Sequence, residues 1–309
     1  MIYTLTLNPA LDYVMRLDGP LAIGETNRAA GEPLQGGGKG INVSLVLRQL
    51  GVDSVALGFA AGRTGDWLRE ILAREGLTQE LLQLPAGETR INVKLKGTEE
   101  TEINGAGPVI DTDALDALTR RLEALVRGDI LVLAGSIPAG VPQDVYRRLM
   151  EPLTARGVDC VVDTTGQALR EILPLRPLLV KPNRRELEAL CGRSLPTDRT
   201  VIAAAQELRG LGARNVLVSL GGDGALLCSE KGTVYRADAP EGRLVNSVGA
   251  GDSMVAGFTA VLYQGGSYQQ ALRLGSAAGG ATAFAPGLGR RDEIFALAET
   301  IKITDCTES

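Results

Sequence analysis

Four consecutive residues, Gly249-Ala250-Gly251-Asp252, set two chemical capacities side by side. The small residues lead into an apolar run at helical spacing (Met254, Val255, Phe258, Val261 and Leu262), which reads as a tight turn opening a helix. The first N–H groups of a helix have no carbonyl partner, and its dipole adds partial positive charge there. Such an end suits phosphate oxygens, or the negative charge that develops while a phosphoryl group moves. Binding an anion does not require a carboxylate, but one placed alongside can take a proton from an attacking hydroxyl. The two together are what phosphoryl transfer to an alcohol needs. An acidic first turn is also common at ordinary helix starts, so this stretch alone leaves both readings open.

Three other stretches carry candidate residues. In Gln35-Gly36-Gly37-Gly38-Lys39-Gly40-Ile41-Asn42-Val43, glycines would admit a ligand close to the backbone just before a helix marked by Val43, Val46, Leu47 and Leu50. It is not a Walker A loop, because Gly40 follows Lys39 where Ser or Thr is required. Either Lys39 and Asn42 face a phosphate or hydroxyls of a substrate, or the stretch is a flexible surface turn, which a lysine inside a glycine cluster before a helix disfavours. In Thr89-Arg90-Ile91-Asn92-Val93-Lys94-Leu95, Arg90, Asn92 and Lys94 fall on one side by the period of a strand. That side is either a solvated face or one presenting cations to a sugar phosphate. Asp12 follows a first strand, Ile2 to Leu7, and residues beyond a strand's carboxyl end line the ligand crevice of open α/β sheets. Asp12 is therefore a candidate for sugar hydroxyls, or else a turn aspartate.

The elements that must position these residues follow from periodicity. Strands are expected at Val55–Ala60, Ile130–Ala134, Asp159–Asp163, Leu178–Val180 and Asn215–Ser219, alternating with helices at 66–75, 114–126, 142–156, 187–191 and 201–211. Gly62 to Gly65 reads as a turn. Alternation of β and α predicts a mostly parallel sheet with helices on both faces. Gly221-Gly222-Asp223-Gly224 reads as a hairpin turn leading into Ala225–Cys228. Helices at 254–264, 268–285 and 292–301 close the core, and 304–309 is expected to fray. Tyr13 to Pro33, and Thr89–Leu95 with Thr101–Asn104, are expected to form a small separate sheet.

Composition excludes several classes of function. With 309 residues, the chain suits one large α/β domain, or a domain carrying a small lid. A formal charge of −5 argues against nucleic acid or anionic membrane as the main partner. There is no His, which excludes His-based triads and Cys/His zinc sites, and none of the four cysteines forms a C-x-x-C pair. No apolar run reaches transmembrane length and Met1–Leu5 reads as strand, so a cytoplasmic protein with reduced thiols is expected.

Taken in order, Asn8-Pro9-Ala10-Leu11-Asp12, Gly37-Gly38-Lys39-Gly40-Ile41-Asn42, Thr89–Lys94, Lys181-Pro182-Asn183-Arg184-Arg185-Glu186 and Gly249-Ala250-Gly251-Asp252 resemble the ribokinase-like (PfkB) carbohydrate kinases over nearly the whole chain. The resemblance implies a single three-layer α/β/α domain, 1–309, with a mostly parallel sheet and a small β-sheet lid from about 13–35 and 88–107. It implies transfer from MgATP to a sugar phosphate, nearest to the branch acting on the 6-hydroxyl of fructose 1-phosphate. Tagatose 6-phosphate is the alternative substrate, and a non-catalytic sugar-phosphate sensor is a third reading.

By that resemblance Asp252 is the general base, and the amides of Gly249, Ala250 and Gly251 form the anion hole. Asp12, Gly38, Lys39, Asn42, Arg90 and Ser136 bind the sugar phosphate. Lys181, Asn183, Ser219, Gly221, Gly224 and Gly251 line the ATP site. Asn183 and Glu186 organise Mg²⁺ largely through water, which fits that ion's reluctance to shed its shell. A homodimer joined through the lid is a further implication. Both substrates are polyanions and the protein is acidic, so Lys39, Arg90 and Lys94 on the sugar side, and Lys181 with Mg²⁺ on the nucleotide side, are expected to offset repulsion.

Overall fold

The computed structural model describes residues 1–307. Its centre is a ten-stranded sheet. From one edge the order runs Thr78–Gln83, Ser54–Ala60, Ile2–Thr6, Ile130–Ala134, Asp159–Asp163, Leu179–Val180 and Asn215–Ser219, all parallel. Ala225–Cys228, Val234–Ala237 and Ile303–Asp305 then continue it antiparallel.

Alternation along the central strands feeds two separate cores, because successive side chains leave opposite faces. Leu131 and Leu133 join one apolar cluster with Leu149, Leu153 and Leu187. Ile130, Val132 and Ala134 join the other with Val46, Val255, Phe258 and Ala278. Strands buried on both faces read as continuous apolar runs, as Ile-Leu-Val-Leu-Ala does. Reversal of strand order around Ile2–Thr6, with neighbours leaving to both sides, opens a crevice at the carboxyl ends of the strands.

A second, five-stranded sheet stands at that end. Ala10–Leu17 is its centre, pairing with Ala29–Gly31, Gln35–Gly37 and, in parallel, Arg90–Lys96, which in turn pairs with Glu100–Asn104. Leu11 roots the sheet in a small apolar cluster with Ile41, Leu68 and Leu72.

Several boundaries differ from expectation for identifiable reasons. Thr78–Gln83 was not anticipated as a strand: it is an edge, and among Thr-Gln-Glu-Leu-Leu-Gln only Leu81 is buried. The helix expected from Asp66 begins at Gly62, because Glu88, distant in sequence, accepts from the Thr64 N–H at 3.0 Å and caps the first turn. Asp12 lies inside a strand and not in a loop after one. Of the tail expected to fray, Thr304 and Asp305 belong to strand Ile303–Asp305, which pairs with Val234–Ala237; the end of that tail, 308–309, lies outside the described residues. Among the described residues no helix is long and apolar enough to cross a membrane.

Candidate active site

The helix Ala250–Tyr263 enters the crevice end-on, four residues earlier than its apolar period suggested. Gly249 caps it in the left-handed region at φ 81°, a conformation that favours glycine. Asp252 therefore lies in the first turn, 6% exposed. Among the described residues, the Gly249, Gly251 and Asp252 N–H groups have no acceptor, while the Ala250 N–H donates to the Ser247 carbonyl at 3.3 Å. The free donors at this end are thus those of Gly249, Gly251 and Asp252, not the run Gly249 to Gly251 anticipated. Gly251 also admits Lys181, whose Nζ would stand 3.0 Å from a Cβ at that position.

Asp252 faces a cavity of about 490 Å³ between the two sheets. Asn42, in the first turns of helix Lys39–Gln49, donates its side-chain N–H to Asp252 Oδ2 at 2.8 Å and leaves Oδ1 unpaired. Burial pushes the Asp252 carboxyl up, and the like charge of Asp163 adds to this. Asn42, Lys39 and Lys181 hold it back, leaving it at about 6. A carboxylate with that affinity is ionised at neutral pH yet accepts a proton far more readily than an ordinary aspartate.

Asp163, the last residue of strand Asp159–Asp163, is buried behind Asp252. Lys39 Nζ lies 3.1 Å from its Oδ2 and Lys181 Nζ 3.3 Å from its Oδ1. Burial works against the Asp163 charge, but Lys181 and Lys39 outweigh it and keep the carboxyl below the usual range. Burial likewise opposes the Lys39 ammonium, and Asp163 and Asp252 raise it despite that. Lys39 and Lys181 are therefore not the free cations that the sequence suggested; each is already committed to one shared carboxylate.

Opposite them stands the polar face of the small sheet. Asp12 accepts from Asn92 Nδ2 on Oδ1 at 2.9 Å and from Lys94 Nζ on Oδ2 at 2.8 Å. The parallel register Asp12 to Asn92 makes this contact direct. Lys94 is thereby neutralised too. Arg90 is different: its Nε donates to the Asn8 carbonyl at 3.1 Å and its Nη1 to the Gly105 carbonyl at 3.4 Å. Among the described residues it forms no ion pair, and Nη2 is left free over the cavity. Of the cations on this wall, only Arg90 brings net positive charge.

The remaining candidates divide. Gly38 and Ser136 line the cavity, as do Asn183, Glu186 and Ser219. Asn183 and Glu186 form a reciprocal cap on helix Arg184–Cys191: the Asn183 N–H donates to Glu186 Oε2 at 2.8 Å and the Glu186 N–H to Asn183 Oδ1 at 2.9 Å. Ala250, Gly221 and Gly224 are not on the cavity wall. Gly224 has a packing reason to be glycine, since a Cβ there would stand 2.1 Å from the Ala237 carbonyl oxygen.

Charged and amide side chains on the cavity wall that sequence reasoning did not assign a role include Asp163, Glu102 and Asn104. Asp163 was within reach: it closes a predicted strand, and the crevice rule that singled out Asp12 applies to every parallel strand end. A second hollow of about 510 Å³ lies against Leu122, Leu149 and Arg156. Arg156 is spent there on the carbonyls of Glu123, Leu122 and Pro152.

Comparisons with known proteins identify related chains. Residues 5–293 match the family model described as pfkB family carbohydrate kinase. A protein named 1-phosphofructokinase from Bacillus subtilis is 42% identical over 98% of this chain and 99% of its own length. A D-tagatose-1-phosphate kinase from Bacillus licheniformis is 36% identical over 98% and 99%. Among solved structures, phosphofructokinase-2 from Escherichia coli in complex with fructose-6-phosphate superposes with a TM-score of 0.91 at 32% identity, covering 97% of this chain and 98% of that one. A buried carboxylate at an unsatisfied helix end, facing an unpaired arginine across one cavity, suits a sugar-phosphate kinase, and the chain belongs to the pfkB family of carbohydrate kinases.

Proposed function

We propose that the protein transfers the γ-phosphoryl group of ATP to the 6-hydroxyl of fructose 1-phosphate, yielding fructose 1,6-bisphosphate and ADP. The observation that carries this reading is that Asp252, its unpartnered amide neighbours and the unpaired Arg90 share one cavity. Arg90 would hold the phosphate already on the sugar through charge-assisted hydrogen bonds. The sugar's far hydroxyl then reaches the core wall, where Asp252 Oδ1 takes its proton as the new O–P bond forms and the bond to ADP breaks. The Gly249, Gly251 and Asp252 amides meet the charge on the moving group. Asp12, Gly38, Asn42 and Ser136 are proposed to orient the sugar, and Lys181 and Ser219 to face the nucleotide phosphates.

The residues present fit Mg²⁺ with ATP. Among the described residues no three carboxylate or thiol groups converge on a metal position. Glu186 lends one oxygen to its helix cap and keeps Oε1. A sparse donor set of this kind suits an ion that keeps most of its water and binds through one or two carboxylates plus substrate phosphates. Asn183 and Glu186 would hold it, and when bound it supplies positive charge to the ATP phosphates.

The small sheet, spanning about 13–35 and 88–107, is proposed to act as the lid and as a dimer interface. Its cavity face carries Asp12, Asn92, Lys94, Glu102 and Asn104. By alternation its other face carries Tyr13, Ile91, Val93 and Ile103, with Ile91 41% and Ile103 57% exposed. An apolar sheet face rimmed by polar residues fits a second copy of the chain.

Steady-state kinetics with MgATP and fructose 1-phosphate, fructose 6-phosphate or tagatose 1-phosphate test the substrate. The expected order places fructose 1-phosphate about tenfold or more ahead in kcat/KM. The Bacillus licheniformis relative makes the tagatose alternative concern the 1-phosphate more than the 6-phosphate. Preference for tagatose 1-phosphate would replace the fructose assignment, and no turnover on any of the three would overturn the reading.

A further inference from the structure

We propose that Asp163 is a positioning residue that joins the two ligand sides of the cavity, anchoring Lys39 and Lys181 on either flank of Asp252. The inference rests on the phosphoryl-transfer reading above. Among the described residues Asp163 accepts no hydrogen bond from the small sheet or from the free amides, yet both lysines end on it. Lys39 opens helix Lys39–Gln49 on the sugar side, and Lys181 follows strand Leu179–Val180 on the nucleotide side. One lysine takes each carboxylate oxygen, at 3.1 and 3.3 Å.

Without an anion between them, two ammonium groups drawn to one small cavity repel each other and lose their positions. Stability alone is a poor reason for the cluster, because buried ion groups can often be replaced by apolar packing at no cost. Its placement gives a better one. With Asp252 ionised, two lysines face two carboxylates and the group is balanced in the free protein. An incoming phosphate then meets cations already fixed in place and need not gather them.

The same geometry gives Asp163 a second effect. Its negative charge raises the proton affinity of Asp252, whereas the lysines lower it and Asn42 donates to the ionised form. Asp163→Asn and Lys39→Met should therefore displace the acid limb of the kcat profile in opposite directions. Asp252 acts while ionised, so activity falls as pH drops through its pKa. Asp163→Asn should move that limb to lower pH, and Lys39→Met to higher pH, each by about 0.5–1 unit.

Asp163→Asn should also lower kcat about 10–100-fold with KM for the sugar phosphate changed about threefold at most. The double variant should lose much less than the product of the single losses, because both act through one contact. Limbs that do not move, multiplicative losses, or recovery of Asp163→Asn at raised Mg²⁺ would each overturn the proposal. If Asp163→Asn does not fold, Lys39→Met carries the test: an acid limb that stays in place or moves down overturns it. If the wild-type protein turns over no sugar phosphate, the kinase reading fails separately. Carboxyl-detected NMR titration of Asp252 in wild type and Lys39→Met then still tests the coupling: a raised Asp252 pKa in the variant supports it, and an unchanged one overturns it.

Discussion

The two walls of the cavity are built differently. On the core wall, Asp252 and Asp163 are buried at the ends of a helix and a parallel strand, backed by two apolar layers and fixed by contacts between segments far apart in sequence. On the small-sheet wall, Asp12, Asn92 and Lys94 are fixed within one pair of strands, and the reverse of the same sheet leaves Ile103 and Ile91 exposed. The core wall gathers groups whose protonation matters and holds them where burial amplifies charge. The sheet wall arranges donors and acceptors for recognition, with one unneutralised guanidinium among them. Rigidity is therefore concentrated where the bond is exchanged, and the recognition surface stands on an element with a thin root in the core, at Leu11 and Ile41.

That contrast can be broken, beginning with the largest effect. Asp252→Asn should cut kcat by about 10²–10⁴-fold while binding of ATP and sugar phosphate is retained, since it removes proton acceptance and little else. Isothermal titration alongside turnover checks this; near-normal kcat would take the base off the core wall.

The same variant sharpens the comparison through stability. The folded pKa of Asp252, about 6, is above the unfolded value, so its ionised form disfavours the fold. This cost is absent below the unfolded pKa, grows as pH rises toward 6 and is fully present above it. Asp252→Asn should accordingly melt at higher temperature than wild type at pH 7, and the gain should vanish near pH 4. A lower Tm at pH 7 would mean that the Asn42 contact outweighs burial.

On the sheet wall, Arg90→Ala should raise the sugar-phosphate KM about 10–100-fold, the worth of a charge-assisted pair, with a smaller change in kcat. Unchanged KM would return Arg90 to a merely solvated strand face. The smallest effect on chemistry is expected from the outer face: Ile103→Glu should weaken self-association in sedimentation velocity and leave core-wall residues untouched. Sedimentation as a monomer by both wild type and variant would remove the second copy from that face.

How much was legible follows the same division. The helix end at Gly249–Asp252, the alternation of Arg90, Asn92 and Lys94, and the positions of the central strands were all readable, because backbone donors, period-two faces and apolar runs are local properties. The five stretches that identified the carbohydrate kinases are likewise short and contiguous. The partners of the lysines were not readable. Lys39 and Lys94 read as free cations because nothing near them in sequence neutralises Lys39, and nothing marked Asp12 as facing Lys94.

The chain's own residues thus determined which groups are present and which face of a strand or turn of a helix each occupies, since those follow from local geometry. Strand order and the register between Ala10–Leu17 and Arg90–Lys96 decided which charges meet: Asp163 with Lys39 and Lys181, Asp12 with Lys94, and none with Arg90. Charge pairing depends on distances of a few ångströms between segments separated by up to 124 residues, and such distances exist only once the sheets have formed.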